Sequence, residues 1–566
     1  MIVSLIIVAM IASKSHVSPR EDLRRTVTFL AAPEQEGRGV GTAGFERASR
    51  FMEAKMRALH LEPLGDDGGY RQHFRVETGV GIDPATRIAV DGGALKIGVD
   101  ATPFGFSDDG SIHGCRLIAV GHGISAPELH HDDYSGKDVR GACVIAIAHE
   151  PGERDAKSPF RAPGALRYRD ARYKAMNARE HGAKAILIVN DADQHEGADA
   201  LPRLRRGAVA ARAGILAIAV TSALGLEKRP GTIDLDVKLK SRSAATWNLV
   251  GRVAGASKEH VVIGAHLDHL GFGDGNSLSP DSIGKVHPGA DDNASGSAAI
   301  LEIARELAAD RHPKRRVVVA LFSGEELGLL GSAHFVAHPP VALDSIAAML
   351  NLDMVGRLGP RGITVMGIAT AHGLKAIVTK AGAADRALRV TTGGDGYGPS
   401  DHTSFYAKGI PVLFLFTGAH ADYHRITDTA DKIAYGGLVR VARFATRIAR
   451  ALRDGPRRKV LRAVAANPHA GGQGGGGGYG AYFGSIPDFS EVKTGVRITG
   501  VRAGSPADKA GLTGGDVIVK LGGTTIANLY DLTYALRAHR AGDVVEVVWQ
   551  RAHTTLRAQA TLGTRN

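Results

Sequence analysis

Cysteine is almost missing from this chain: its 566 residues include only two, Cys115 and Cys143. They lack C-x-x-C spacing, which argues against a cysteine-ligated zinc knuckle. They are either one disulfide in an oxidising compartment or two buried thiols. Aromatic residues make up only 5%, and none alternate with the short basic groups "RLRR" (203–206) and "PKRR" (313–316). The net charge of +12 and a pI near 9.6 therefore describe scattered Lys and Arg on a solvated surface. No nucleic-acid partner is expected, because such a partner needs basic residues clustered on one face. No apolar run reaches the roughly 20 residues of a membrane-spanning helix. The start, "MIVSLIIVAMIASKSH", is apolar only from Ile2 to Ala12. That length suits the apolar core of an export signal, although no Lys or Arg precedes it. Residues 1–16 are therefore read as a signal segment, and the protein as periplasmic or extracellular with no integral membrane segment. Nothing in the sequence speaks to oligomeric state.

Length points to several domains. The segment 44–65 reads as an amphipathic helix. "GRGVGTAG" (37–44) ahead of it follows no strand and reads as a turn, not a dinucleotide loop. Residues 17–110 are assigned to the first part of the main domain. Residues 111–242 have a different texture, with strands at "CRLIAVGHGI" and "ACVIAIA" and a helix–strand unit in "RDARYKAMNAREHGAKAILIVND". They read as a compact β-rich insert. Residues 243–455 alternate unbroken apolar strands (260–265, 316–322, 347–352, 410–416) with helices such as 294–310. That pattern predicts an α/β fold with a mixed, mainly parallel sheet covered by helices on both faces. Residues 456–481, with "GGQGGGGGYG", form a flexible linker, and 482–566 a small β-rich unit.

Ligands in open α/β sheets gather at the carboxyl ends of strands. There the sequence places His266 and Asp268 ("GAHLDH"), Glu325 and Glu326 ("FSGEELGLLGS"), Asp353 ("NLDMVG") and His424 ("ADYHRITDT"). Asp292 ("HPGADDNASG") stands at the start of the long helix, with Asp291 beside it. Mixed imidazole and carboxylate donors suit zinc, with manganese or cobalt as substitutes. Five protein ligands are too many for one catalytic zinc but suit two ions sharing a carboxylate. A non-ligand carboxylate is then needed as base. Adjacent residues on a turn can aim one carboxylate at a metal and leave the other free.

The segments "GAHLDHLG", "HPGADDNASGSAAILEIAREL", "LFSGEELGLLGSAHF", "NLDMVGR", "GPSDHTSF" and "DYHRITDT" resemble the di-zinc aminopeptidases of metallopeptidase family twenty-eight. The resemblance covers most of residues 20–455 and implies two zinc ions per chain. His266 and Asp353 would hold one, Glu326 and His424 the other, and Asp292 would bridge them in preference to Asp291. Glu325 would be the general base and Asp268 the partner orienting His266. Ser400, Asp401 and His402 resemble a wall motif with no assigned step. The insert resembles a protease-associated domain and the last unit a PDZ domain. Phe483 and Gly484 fall in the loop that would receive a peptide C-terminus there. The implied activity is hydrolysis of N-terminal residues from peptides. The alternatives are a carboxypeptidase or glutaminyl-cyclase-like enzyme on the same fold, or a non-catalytic peptide-binding protein.

Overall fold

The computed structural model describes residues 17–563 apart from 156, 162, 191–198, 203, 205–211, 229–230, 274–276, 279–281, 283, 395, 462–480, 488–493, 502–503 and 553. The proposed signal segment and most of the glycine linker lie outside the described residues.

The main sheet has nine strands. Its centre is parallel: His260–His266 lies between Arg316–Phe322 and Ile346–Leu352, and the latter pairs with Val412–Phe416. Both flanks are antiparallel, through Leu239–Val253 on one side and Ile363–Met366 on the other. The central strands are runs of Val, Ile, Leu and Ala because both faces are covered. Val261, Ile263 and Ala265 join a core under the helices Pro19–Leu30, Gly296–Ala308 and Tyr435–Asp454. Val262, Val318 and Phe322 pack on the opposite face against Phe335 and Phe405, from the helices Leu330–Ala337 and His402–Ala407. Each fully buried Val, Leu, Ile or Phe contributes about 1.5–3 kcal/mol, so this layer dominates the stability of the domain. The first helical pattern gives Ala43–Ala58, capped at its start by Thr42 Oγ1 and ended at Leu59 before the extended stretch that follows.

Arg71–Ile82 and Leu239–Val253 form a long antiparallel ribbon leading out of this sheet. The insert hangs from its end, where Asp83 N donates to Lys238 O at 3.0 Å. Its eight-stranded sheet takes in the short strands Arg87–Val90, Gly93–Ala94 and Ala101–Pro103. It therefore draws on residues before 111, where the composition first changes. Gly110–Ala119, Cys143–Ile147, Ala185–Val189 and Leu216–Val220 run parallel, with the helix Ala171–Glu180 beside them. Cys115 and Cys143 are paired as a disulfide, which resolves the two readings of these residues.

The C-terminal unit is a six-stranded sheet with the helix Leu529–Ala538. Phe483 is in its core, and Gly484 has φ +85°, in the left-handed region that glycine tolerates. The glycine-rich linker suggests a freely moving unit, but the structure seats it on the insert. Arg179 Nη1 lies 3.2 Å from Asp531 Oδ1, Asn528 Nδ2 donates to Arg212 O at 3.0 Å, and Tyr534 OH donates to Asn177 Oδ1 at 3.2 Å. A linker's composition governs its own stiffness and not what the tethered surfaces find. Among the described residues, no helix is long and apolar enough to cross a membrane.

Candidate metal centre

The carboxyl ends of the parallel strands bring six of the sequence-predicted side chains into one buried cluster. His266 ends its strand, and its ring Nε2 lies 3.3 Å from Asp292 Oδ1 and 3.3 Å from Asp353 Oδ1. His424 Nε2 lies 3.2 Å from Asp292 Oδ2 and 3.1 Å from Glu326 Oε2. Asp292 therefore presents one oxygen to each imidazole. Its neighbour Asp291 turns away: Oδ1 accepts from Gly356 N at 2.6 Å and from Ser295 Oγ at 3.0 Å, and Oδ2 meets His420 Nε2 at 3.1 Å. Glu325 Oε2 is 3.9 Å from His266 Nε2 and makes no closer ion pair among the described residues. The two glutamates lie in the turn between the strand Arg316–Phe322 and the helix Leu330–Ala337, not inside the helix. Gly324 at φ +74° makes that turn possible.

Asp268 sits differently from the resemblance's expectation. His266 Nδ1 is met by the backbone carbonyl of Asp268 at 3.1 Å, while the Asp268 carboxylate is 4.0 Å away and accepts the Glu325 N–H at 3.2 Å. The side chain thus fixes the glutamate turn, and the main chain orients the ring. Ser400 Oγ accepts from Asn351 Nδ2 at 2.7 Å, Asp401 is fully buried, and the His402 ring stacks on Phe414 with centroids 4.5 Å apart.

Three further residues belong to the site. His269 Nδ1 lies 2.7 Å from Glu326 Oε1 and 3.8 Å from Asp292 Oδ2. It stands in the same "HLDHLG" stretch as His266, one residue past Asp268. Asp428, the last acid of "DYHRITDT", accepts the N–H groups of Asp291 and Asp292 through Oδ2 at 2.9 and 3.1 Å, which holds the Asp292 loop. Tyr423 stacks its ring on His424, centroids 3.8 Å apart.

The donor set fits metal cations. Two groups, His266–Asp292–Asp353 and His269–Asp292–Glu326, have donor atoms all within 4.8 Å of one another. His424 Nε2 reaches both carboxylates of the second group, and it is closer to Asp292 than His269 Nδ1 is. The protein alone overloads this space with negative charge. Burial opposes a charged His266, yet Asp353 and Glu325 hold it well above the ordinary histidine range. His424 is likewise pushed up to about 11 against its burial by Glu326 and Asp292. Glu326 is held at about 2, where burial and Asp292 are outweighed by His424 and His269. Burial drives Glu325 the other way, well above the ordinary range, with Glu326, Asp353 and Asp401 adding to it. Buried carboxylates that hold two adjacent imidazoles in their charged form make a negative cluster whose charge divalent ions would balance.

Fold and cluster together define the class: the chain is a metallopeptidase, a hydrolase built on the mixed sheet of zinc exopeptidases. Residues 248–449 match the description Peptidase family M28 and residues 487–562 the PDZ domain, so the chain carries an M28 peptidase domain followed by a PDZ domain. It is 28% identical over 462 residues to a probable lipoprotein aminopeptidase of Mycobacterium tuberculosis, covering 75% of this chain and 80% of that protein. It is 32% identical over 260 residues to an aminopeptidase of Pseudomonas aeruginosa, covering 44% of this chain and 45% of the other. It therefore spans less than half of the Pseudomonas protein. The solved structure of a zinc aminopeptidase from Bacillus subtilis superposes with a TM-score of 0.50 at 20% identity, over 78% of this chain and 98% of that one. That likeness concerns the fold alone.

Proposed function

We propose that this protein is an exported di-zinc aminopeptidase that hydrolyses N-terminal residues from peptides. The observation that carries the reading is Asp292, which offers Oδ1 toward His266 and Oδ2 toward His424. In this assignment His266, Asp292 and Asp353 would hold one ion, and Asp292, Glu326 and His424 would hold the other. His269 grips Glu326 by its second oxygen and so fixes the carboxylate without being a ligand itself. Manganese or cobalt can substitute in such a donor set. Zinc held by these residues would supply Lewis acidity toward a scissile carbonyl and toward water near neutral pH.

The chain's own residues supply the rest. Glu325 belongs to neither ligand group, and its Oε2 lies 3.9 Å from His266 Nε2. Its carboxylate is placed to take a proton from the attacking water and to return it to the leaving amine. Asp268 keeps Glu325 in place through the backbone N–H of the turn. The cluster's burial excludes bulk water and strengthens every charge interaction within it. The domain division that accompanies this reading is a peptidase domain in two parts, a protease-associated insert and a PDZ unit able to take a peptide C-terminus near Phe483 and Gly484. The names of the relatives favour the amino end of the substrate over the carboxypeptidase and cyclase alternatives.

Zinc content and products test the reading together. Purified protein should hold close to two zinc equivalents, and a peptide mixture followed by mass spectrometry should shorten from the amino end. Full activity with one equivalent would remove the two-ion assignment, and shortening from the carboxyl end would remove the aminopeptidase assignment.

A further inference from the structure

The turn "GRGVG" plays no part in the donor set, yet it carries the most deeply enclosed cation beside it. Arg38 is fully buried and forms no ion pair among the described residues. Its guanidinium instead donates to four carbonyls: Nε to Leu267 O at 2.8 Å, Nη1 to Leu30 O at 2.8 Å and Pro288 O at 2.7 Å, and Nη2 to Gly289 O at 2.8 Å. Leu267 directly follows His266. Pro288 and Gly289 lead into Asp292. One planar group thus spans the two loops whose side chains face each other across the cluster.

The backbone of the same turn is stitched to the first loop as well. Arg38 O accepts from His269 N at 3.3 Å and Gly37 O from Gly271 N at 3.1 Å. A Cβ on Gly37 would lie 2.4 Å from Gly271 O and 2.5 Å from His287 O, so glycine alone lets the two loops approach this closely. Glu36, Gly37 and Arg38 all have φ between 49° and 56°. Two of the three are not glycine, and left-handed non-glycine residues persist only where their surroundings hold them.

We propose that Arg38 is a positioning residue for the metal centre: it sets the separation of the His266 and Asp292 loops and leaves its positive charge available to the surrounding carboxylates. Asp292, Asp268, Asp428 and Glu326 all attract it, although none touches it. A lysine cannot replace it, because an ammonium is a point donor and cannot reach both loops with a planar fork. The proposal rests on the two-ion reading above.

The test measures zinc affinity of the metal-stripped full-length protein by competition with a chromogenic chelator, for the parent, R38K and R38A. The parent is titrated first: fewer than two tight sites there would defeat the two-ion reading itself. With two sites in the parent, R38K should weaken zinc binding by roughly 10–100-fold, the range seen when an outer partner of a metal ligand is lost. R38A should weaken it at least as much, and added ethylguanidinium should restore part of the affinity in R38A and none in the parent. In zinc excess, kcat should fall in both variants while KM for a small amino-acid amide changes little. If R38A does not fold, R38K decides the matter: zinc affinities within twofold of the parent overturn the proposal. A folded R38A that binds zinc like the parent overturns it equally.

Discussion

Two mixed sheets of the molecule have parallel centres, with opposite solutions at the carboxyl ends of those parallel strands. In the peptidase sheet, the strand ends deliver carboxylates and imidazoles that would hold metal cations. In the insert, the equivalent edge is closed by a built-in side-chain cation. Lys174 is fully buried, and its Nζ donates to His122 O at 2.5 Å, His149 O at 2.6 Å and Ile147 O at 2.9 Å. Those carbonyls lie at or just past the ends of the strands Gly110–Ala119 and Cys143–Ile147. Both edges gather oxygen atoms; in the proposed reading the first would take its positive charge from bound metal ions. A strand-end position is thus permissive for a site, and the charge of the neighbouring side chains decides whether a site exists.

The sharpest way to break the comparison is to remove the proposed proton carrier, Glu325, from the first edge. Glu325→Gln should keep both zinc equivalents and lose kcat by roughly 10²–10⁴-fold. Loss of an ion from this variant, with Glu326→Gln retaining both, would reverse the two glutamates' roles. Next in size is the brace at the far end of the insert strand that feeds Lys174. Cys143→Ser opens the Cys115–Cys143 disulfide, whose partners are 28 residues apart. It should cost the insert about 3–4 kcal/mol by loop-closure entropy, read as a lower melting transition with zinc affinity unchanged. An unchanged transition would show that the brace does not limit the insert's stability.

Lys174→Met tests the second edge directly. Orphaned buried carbonyls cost about 1–3 kcal/mol, so the insert's melting transition should fall. The pH dependence carries a sign. Burial pushes Lys174 down to about 7, although Asp133, Glu150 and Asp170 oppose it. Between that value and the ordinary lysine range the unfolded chain binds the extra proton, so stability should rise with pH across the window. Lys174→Met should flatten that rise, and a rise that survives in the variant assigns it to another group. The smallest effect is expected from Arg179→Glu, which opposes Asp531 across the contact between insert and PDZ unit. Small-angle scattering should show a more extended particle, while hydrolysis of a small amide stays within twofold. A clear fall in that activity would tie the PDZ unit to the active site.

Convergence at the main site was legible because unbroken apolar strands announce a covered sheet, and the polar residues just beyond them must then share an edge. His269 was within reach of the same reasoning, being inside a quoted motif. Arg38 was not. Three of its four carbonyl partners are 229 to 251 residues away, and backbone acceptors leave no trace in residue identity. The resting place of the C-terminal unit was equally invisible, since Asp531, Asn528 and Tyr534 look like any surface helix until their partners are known. The early start of the insert is not readable from sequence, because Gly93–Ala94 and Ala101–Pro103 are too short to show alternation.

The ribbon of Arg71–Ile82 and Leu239–Val253 has a consequence for the order of folding. Its strands are neighbours in space and far apart in sequence, so pairing them from an unfolded chain means closing a very long loop. Closure entropy grows only slowly with length, by about 0.6 kcal/mol per doubling, yet such distant pairing slows a folding reaction. An insert that has already folded brings Asp83 and Lys238 together and turns that search into the zipping of a hairpin. The insert should therefore gain hydrogen-exchange protection before the peptidase sheet does.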